Sequence, residues 1–235
     1  MPDETEIKLK IRDLKAFQRI LKRLGAKTVG SATGRVHEEN LIFDTPDGGL
    51  AKHGQLLRLR TETVAAPPTK KSAKSKKTRK APAKAAKSSQ PTRQILTFKR
   101  PTAQQAAAPT SRYPSFGAHK VRDEIEAQVT DSANLIKIFE GLGMRGWFRY
   151  EKYRTTYKLP ATKPWARDLL IEVDETPIGT FVELEGPPAA IDRAATELGY
   201  SKRDYILTNY LALYAEDCRR KGQQPQNMLF ANKLQ

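Results

Sequence analysis

The amino-acid sequence predicts an α+β fold with about eight strands and four helices. Three observations support this prediction. Charged and apolar residues alternate with a period of two in seven segments, segment 35–44 adds an eighth strand, and four segments repeat apolar residues at helical spacing. Apolar residues make up 38% of the 235 residues, which is enough for the core of one large domain.

The seven alternating segments carry their charges on one face and their apolar side chains on the other. In the first of them, Glu4, Glu6 and Lys8 alternate with Ile7 and Leu9. Side chains two residues apart point to the same side of a strand, so each segment has one charged face. The segments are 4–11, 57–60, 96–99, 124–127, 152–154, 171–174 and 182–185.

Four helices are expected between and after the strands. The first has an apolar stripe and ends at Gly25, where a left-handed residue can stop it. The last is expected to carry Ile206 and Tyr210 on its apolar face. The residues that can cap or begin the four helices are Asp13, Asp131 or Ser132, Pro187-Pro188 and Ser201.

The formal net charge of +16 is concentrated in one stretch of the chain. Residues 63–93 hold ten Lys or Arg and no acid, which leaves 32 basic against 26 acidic residues elsewhere. Ala, Lys, Pro and Ser dominate this stretch, and they bury too little apolar surface to offset the entropy cost of ordering. We therefore expect one domain, residues 1–220, interrupted by a disordered basic insert at 63–93 and followed by a flexible tail at 221–235.

The basic insert admits two interpretations, a solvated linker or a nonspecific contact with DNA, RNA or polyphosphate through residues 65–93. It lacks the interleaved aromatic residues that stack on bases, so sequence-specific recognition is not expected.

The remaining composition indicates a cytoplasmic protein. Cys218 is the only cysteine and cannot form an internal disulfide. The first residues lack the features of a signal peptide, and no stretch approaches the roughly 18 apolar residues of a membrane span. We expect no membrane partner, and the sequence leaves the oligomeric state open.

The charged strand faces either meet solvent, as in an ordinary half-buried sheet, or line an enclosed lumen. Two ionised carboxylates on one strand face repel by about 2–3 kcal/mol at an effective dielectric of 20, so repeated E-x-E pairs favour a bound cation. Carboxylates suit Mg²⁺ or Mn²⁺, and Arg and Lys suit phosphate oxygens. The pattern alone does not decide between the two interpretations.

Several motifs occur together in a characteristic order. They are Glu4-x-Glu6-x-Lys8, segment 39–47 with Leu57-Arg58-Leu59-Arg60, segment 96–99, Arg122-x-Glu124-x-Glu126, Lys152-x-Arg154-x-x-Tyr157, and Asp174 with Gly179–Glu185. In type, spacing and order this set resembles the CYTH family, the triphosphate tunnel metalloenzymes. The basic insert departs from the family pattern by lengthening one strand connection.

The resemblance implies an eight-stranded antiparallel β-barrel with a charged lumen and with helices packed outside. It implies Mg²⁺ or Mn²⁺ as cofactor, held by Glu4, Glu6, Glu124, Glu126, Asp174, Glu183 and Glu185. It implies that the triphosphate is bound by Lys8, Arg58, Arg60, Lys99, Lys152 and Arg154. Among these, the candidate catalytic residues are Lys8, Arg58, Arg60 and Arg154.

The resemblance also implies a metal-dependent enzyme, and the chain looks most similar to the adenylate-cyclase-like branch, which forms cyclic AMP and pyrophosphate from ATP. One alternative is hydrolysis of inorganic triphosphate, thiamine triphosphate or a nucleoside triphosphate. Another is a non-catalytic module that binds polyphosphate or nucleic acid. Lys8 or a second metal ion could help to deprotonate the nucleophile, but the sequence identifies no general base.

Overall fold

The computed structural model describes residues 4–30, 34–64, 92–106 and 119–231. The strands in these ranges are β1 (Glu4–Ile11), β2 (Lys27–Thr28), β3 (Arg35–Asp44), β4 (Leu56–Val64), β5 (Thr92–Arg100), β6 (Lys120–Val129), β7 (Arg145–Lys158), β8 (Leu170–Thr176) and β9 (Gly179–Glu185). The helices are α1 (Leu14–Arg23), α2 (Gly49–Lys52), α3 (Ala103–Ala106), α4 (Ser132–Gly141), α5 (Pro188–Glu197) and α6 (Tyr210–Arg220). The ends of the predicted insert belong to β4 and β5, and its remainder lies outside the described residues.

Eight strands form a closed antiparallel barrel, which confirms the expected fold. Around the barrel they follow the order β7-β3-β4-β5-β6-β1-β9-β8, and β8 pairs with β7 to close the ring. The short strand β2, which the sequence analysis did not anticipate, pairs with the end of β7 beyond β3. Closure leaves the barrel without open sheet edges and encloses a lumen.

Both faces of strand β1 are buried, and its charged face points into the barrel. Its apolar residues Ile7 and Leu9 are 1% and 0% exposed, yet Glu6 and Lys8 on the opposite face are also buried. The apolar face packs on the helices outside the barrel, with Phe17 and Leu21 of α1 and the alanines of α5. The apolar faces of the strands therefore supply the outer core, and the charged faces line the lumen.

Three of the four predicted helices, α1, α4 and α5, begin where the sequence predicts. The Asp13 carboxylate accepts a hydrogen bond from the Ala16 amide at 3.0 Å, and Gly25 follows α1 with φ of 76°. Asp131 caps α4 in the same way, and α5 begins at Pro188. None of the helices in the described part of the chain combines the length and apolar character that a membrane span requires.

The fourth predicted helix, α6, begins later than expected. Ser201 caps a short 3-10 turn, and Asn209 caps α6 by accepting a hydrogen bond from the Ala212 amide at 2.8 Å. Ile206 is therefore not helical, and its backbone exchanges two hydrogen bonds with Lys8 of β1, at 3.1 and 2.8 Å. This pairing with β1 fixes the segment that leads into α6.

Part of the predicted C-terminal tail is hydrogen-bonded to β7. The Met228 amide donates to the Arg149 carbonyl at 2.9 Å, and the Glu151 amide donates to the Met228 carbonyl at 3.0 Å. The Met228 side chain is buried against Phe148 and Tyr150. Met228 thus pairs with β7, and residues 232–235 lie outside the described ranges.

Candidate functional site

The barrel encloses a cavity of about 460 Å³ whose walls are mainly charged. Twelve of the thirteen residues proposed from the sequence line this cavity. They are Glu4, Glu6, Lys8, Arg58, Arg60, Lys99, Glu124, Glu126, Lys152, Arg154, Glu183 and Glu185. The thirteenth, Asp174, is fully buried and bonded to two of them.

A central cluster of ion pairs surrounds Asp174. Its carboxylate accepts two hydrogen bonds from Arg154 at 2.7 Å, one from Lys152 at 3.0 Å and one from the Tyr210 hydroxyl at 2.7 Å. The Arg154 guanidinium also contacts Glu172 and Glu183. These four hydrogen bonds to Asp174 hold Arg154 and Lys152 in place.

Lys8 extends the central cluster along β1. Its ammonium lies 2.6 Å from Glu183, and both side chains are buried. Burial alone would lower the pKa of Lys8, but the negative charges of Glu183 and Glu6 raise it above the usual value. These neighbouring carboxylates therefore favour the protonated, cationic form of Lys8.

A second group, the acidic cluster, consists of Glu4, Glu6, Glu124 and Glu185, and only two ammonium groups pair with these carboxylates among the described residues. Lys99 lies 2.5 Å from Glu4 and 2.7 Å from Glu124, and Lys120 contacts Glu6. The cluster therefore has more negative than positive charge.

The four carboxyl groups differ in proton affinity: the pKa values of Glu124 and Glu185 are raised, whereas in Glu4 and Glu6 hydrogen bonds and nearby ammonium groups outweigh burial and lower the pKa. Burial, together with the hydrogen bond to Glu4, raises the pKa of Glu124 to about 7. Burial, together with repulsion from Glu172 and Glu4, raises the pKa of Glu185 to about 8. A cation bound at this cluster would stabilise the ionised forms of Glu124 and Glu185.

The acidic cluster fits a divalent metal ion in its chemistry. All of its donor atoms are carboxylate oxygens, which Mg²⁺ and Mn²⁺ prefer. Within the ranges that the structure describes, no three acidic, histidine or cysteine side chains already converge as a metal site. Glu4 and Glu124 instead converge on the Lys99 ammonium. The residues present thus suit the ion that the sequence analysis implied.

Arg58 is a buried cation without a carboxylate partner in the described part of the chain. Its guanidinium donates to the Tyr150 hydroxyl at 3.1 Å and the Thr97 hydroxyl at 3.4 Å, and its buried Nε has no hydrogen-bond partner there. The neighbouring Arg60 differs, since it pairs with Glu62 at 3.0 Å and Glu126 at 3.2 Å. A buried guanidinium that meets only hydroxyl groups is suited to an anionic ligand.

The structure adds lumen residues that the sequence analysis missed. Glu38 lies 3.4 Å from Lys152 and 3.7 Å from Arg154; burial alone would raise its pKa, but these two cations lower the pKa to about 2. Glu38 and Glu39 are adjacent acids, so alternation did not show which of them faces inward. Glu172 was detectable, because it stands two residues before Asp174.

Two further lumen residues gave no usable signal in the sequence. Lys120 precedes the Arg122-x-Glu124 motif by two residues, but its pairing with Glu6 joins parts of the chain that are far apart in sequence. Tyr210 enters from helix α6, which strand alternation does not describe, and its ring lies 4.7 Å from the Lys8 ammonium. Both residues line the cavity.

Comparison with known protein families identifies the barrel. The model of the CYTH domain matches residues 3–208, almost the entire described length. This chain belongs to the CYTH family. The family model covers every strand of the barrel and all of the proposed site residues, so the charged lumen described above is the lumen of a CYTH domain.

Solved structures show the same fold. A protein from Pyrococcus horikoshii OT3 superposes with a TM-score of 0.60 at 17% identity, covering 91% of this chain and 99% of that one. A conserved protein from Pyrococcus furiosus gives 0.57 at 22%, covering 89% and 99%. A candidate adenylate cyclase from Vibrio parahaemolyticus gives 0.57 at 15%, covering 88% and 95%. At these identities the likeness concerns the fold, and a comparison with curated proteins found no match.

Proposed function

We propose that this CYTH domain is a divalent-metal-dependent enzyme that binds a triphosphate in the barrel lumen and forms cyclic AMP and pyrophosphate from ATP. The observation that carries the proposal is Arg58, a buried cation whose hydrogen bonds go only to hydroxyl groups, in a lumen where the acidic cluster has more carboxylates than cations. A polyanion would balance the positive charge of Arg58, and a metal ion would balance the negative charge of the acidic cluster.

The chain's own residues would divide the work between them. Arg58 and Arg60 would donate hydrogen bonds to phosphate oxygens, and Lys8 and Arg154 would oppose the negative charge that develops on the leaving pyrophosphate. Asp174 and Tyr210 would hold Lys152 and Arg154 in position. Glu4, Glu6, Glu124 and Glu185 would hold Mg²⁺ or Mn²⁺, which supplies further charge neutralisation at the phosphates.

In the proposed reaction the ribose 3′-hydroxyl attacks the α-phosphorus. The bond from this phosphorus to the oxygen that bridges to the β-phosphorus breaks, and pyrophosphate leaves with that oxygen. The hydroxyl proton passes to solvent or to a buffer base. Attack by water on the terminal phosphorus would use the same residues and would make the protein a triphosphatase.

The decisive experiment incubates the full chain with ATP and either Mg²⁺ or Mn²⁺ and separates the products. Cyclic AMP with pyrophosphate is expected; orthophosphate would instead establish the triphosphatase alternative. Parallel assays use thiamine triphosphate and inorganic triphosphate. Triphosphate binding without turnover of any of the three would show a non-catalytic binding module.

The metal assignment is tested by a double variant, Glu4→Ala with Glu6→Ala, which is expected to abolish metal-dependent turnover. Glu39→Ala is the matched control, because Glu39 is an exposed acid on β3 and does not line the cavity. Full activity of the double variant would refute the assignment.

A further inference from the structure

A second cavity, of about 470 Å³, lies at one end of the barrel beside α6. It is formed by the end of β3, the beginnings of β4 and β7, and the segment that enters α6. Its apolar lining comprises Ile42, Phe43, Leu56, Trp147, Leu207 and Leu211. This size and apolar lining are typical of sites for organic ligands and differ from the charged lumen.

Trp147 projects from an irregularity in the sheet. Ile42 of β3 lies opposite Phe148, but Phe43 lies opposite Gly146, so Trp147 is an extra residue in β7. Such a β-bulge redirects a side chain, and bulges are common beside active sites. A Cβ atom at Gly146 would lie only 2.9 Å from the Leu41 side chain, so the small residue permits this local geometry.

The Trp147 side chain is available to a ligand. It is 49% exposed, and its ring lies 5.8 Å from that of Phe148. The other tryptophan, Trp165, is occupied differently, since the Arg193 guanidinium lies 4.5 Å from its ring, and it does not line the cavity. The bulge therefore places an open aromatic surface in an apolar cavity.

The two cavities are neighbours and share part of their lining. Six residues line both of them, and among these Lys99 and Lys120 carry the charges. A ligand with its organic part beside Trp147 and its phosphates in the lumen would pass these two ammonium groups. An ester of triphosphate fits both cavities, whereas inorganic triphosphate would leave the apolar cavity empty.

The charged residues that line the apolar cavity already have partners within the protein. The cationic ones are Lys99, Lys120 and Arg122, and the acid is Asp44. The Asp44 carboxylate already accepts hydrogen bonds from the backbone amides of residues 45, 50 and 51, at 2.7, 2.8 and 3.0 Å. Lys99 and Lys120 pair with carboxylates of the acidic cluster, so an uncharged organic group would leave these ion pairs intact.

We infer that the base of the nucleotide substrate stacks on Trp147 in this cavity. The inference rests on the proposed function and assigns the place where its substrate's base binds. Base stacking on an aromatic side chain tolerates different bases, so Trp147 selects for an aromatic group and not for adenine in particular.

The first test uses the two tryptophans of the chain. In a Trp165→Phe variant, Trp147 is the remaining tryptophan. Binding of α,β-methylene ATP with Mg²⁺ is expected to quench its emission. Inorganic triphosphate, added at concentrations at which calorimetry shows binding, is expected to leave the emission unchanged. Equal quenching by the two ligands, or none by the nucleotide when calorimetry shows that it binds, would overturn the inference.

The second test measures affinity by calorimetry. Trp147→Ala is expected to weaken binding of α,β-methylene ATP about tenfold or more, to leave binding of inorganic triphosphate unchanged, and to be rescued by Trp147→Phe. Trp165→Phe is the control that should change neither. Equal weakening of both ligands, or tighter binding of thiamine triphosphate than of the nucleotide, would contradict the assignment.

The two proposals fail separately. Nucleotide binding that depends on Trp147 but is followed by no turnover would reject the enzyme and retain the base site. Formation of cyclic AMP from ATP with no effect of Trp147→Ala would reject the base site and retain the enzyme.

Discussion

Arg58 illustrates how a single residue reports the ligand that its surroundings favour. It is 9% exposed and bonds to Tyr150 and Thr97, whereas the buried cations Lys8, Lys152 and Arg154 each have carboxylate partners. A buried charge with hydroxyl partners only is costly for folding. Its presence is therefore better explained by binding than by stability.

Replacing Arg58 should consequently affect binding and stability in opposite directions. Arg58→Met is expected to raise the KM for the triphosphate by about 100-fold or more, because two charge-assisted hydrogen bonds of roughly 1.5–3 kcal/mol each are lost. The melting temperature is expected to stay the same or rise, because an apolar side chain replaces a buried charge without an ion pair. Steady-state kinetics and thermal denaturation measure the two effects.

The control for this substitution is Lys10→Met on β1, where the side chain is exposed and outside the cavity. It should leave both the KM and the melting temperature close to those of the parent protein. A large fall in the melting temperature of Arg58→Met would show that Arg58 serves the fold.

At the scale of the element, the strands have two buried faces with different tasks. On β1 the even-numbered residues Glu6 and Lys8 enter the lumen, and Ile7 and Leu9 pack beneath α1 and α5. The charged face carries the proposed chemistry and the apolar face anchors the helices. Substitutions on the apolar face of a strand should therefore change stability, and substitutions on its charged face should change activity.

Leu9→Ala tests this separation. Removing a buried leucine side chain is expected to cost about 2–5 kcal/mol of unfolding free energy, because a cavity remains in the outer core. The KM for the triphosphate should not change at temperatures well below the melting transition. Denaturant unfolding and kinetics on the same preparation provide the measurements.

Glu183→Gln on β9 is the converse variant, since Glu183 pairs with Lys8 inside the lumen. Unlike Leu9→Ala, it is expected to change the steady-state kinetics directly, because it removes the carboxylate that orders Lys8. A Leu9→Ala protein with normal stability but an altered KM would contradict the assignment of the two faces.

For the whole molecule, the distribution of charge separates the barrel from the basic insert. Outside residues 63–93 the acids and bases are nearly balanced, and the lumen pairs most of its charges internally. Thr63 and Thr92 lie opposite each other on β4 and β5, so the chain leaves the barrel and returns to it at neighbouring positions. The barrel strands on either side of the insert are therefore paired up to its ends.

Deleting residues 65–91 and joining β4 to β5 by a short Asn-Gly turn should leave turnover nearly intact. The same deletion is expected to weaken salt-sensitive retention on DNA or polyphosphate, because these contacts depend on counterion release by Lys and Arg. A variant of full length with the insert's Lys and Arg changed to Gln separates charge from length. Retention that neither change alters would reject the polyanion contact.

Local alternation in the sequence was sufficient to identify the charged strand faces, and the order of the motifs correctly indicated the CYTH barrel. Both are properties of short segments, since the period of two follows from backbone geometry alone. For the same reason twelve of the thirteen proposed residues line one cavity. The sequence did not resolve Glu38 from Glu39, because adjacent acids carry no alternation.

The tertiary structure alone decided which charges meet. Lys120 pairs with Glu6, Tyr210 reaches Asp174, and Arg58 has no carboxylate partner among the described residues because of how distant strands and helix α6 come together. The bulge that directs Trp147 into the apolar cavity likewise depends on the register between β3 and β7. Register and closure arise from contacts between residues far apart in the chain, and no local pattern specifies them.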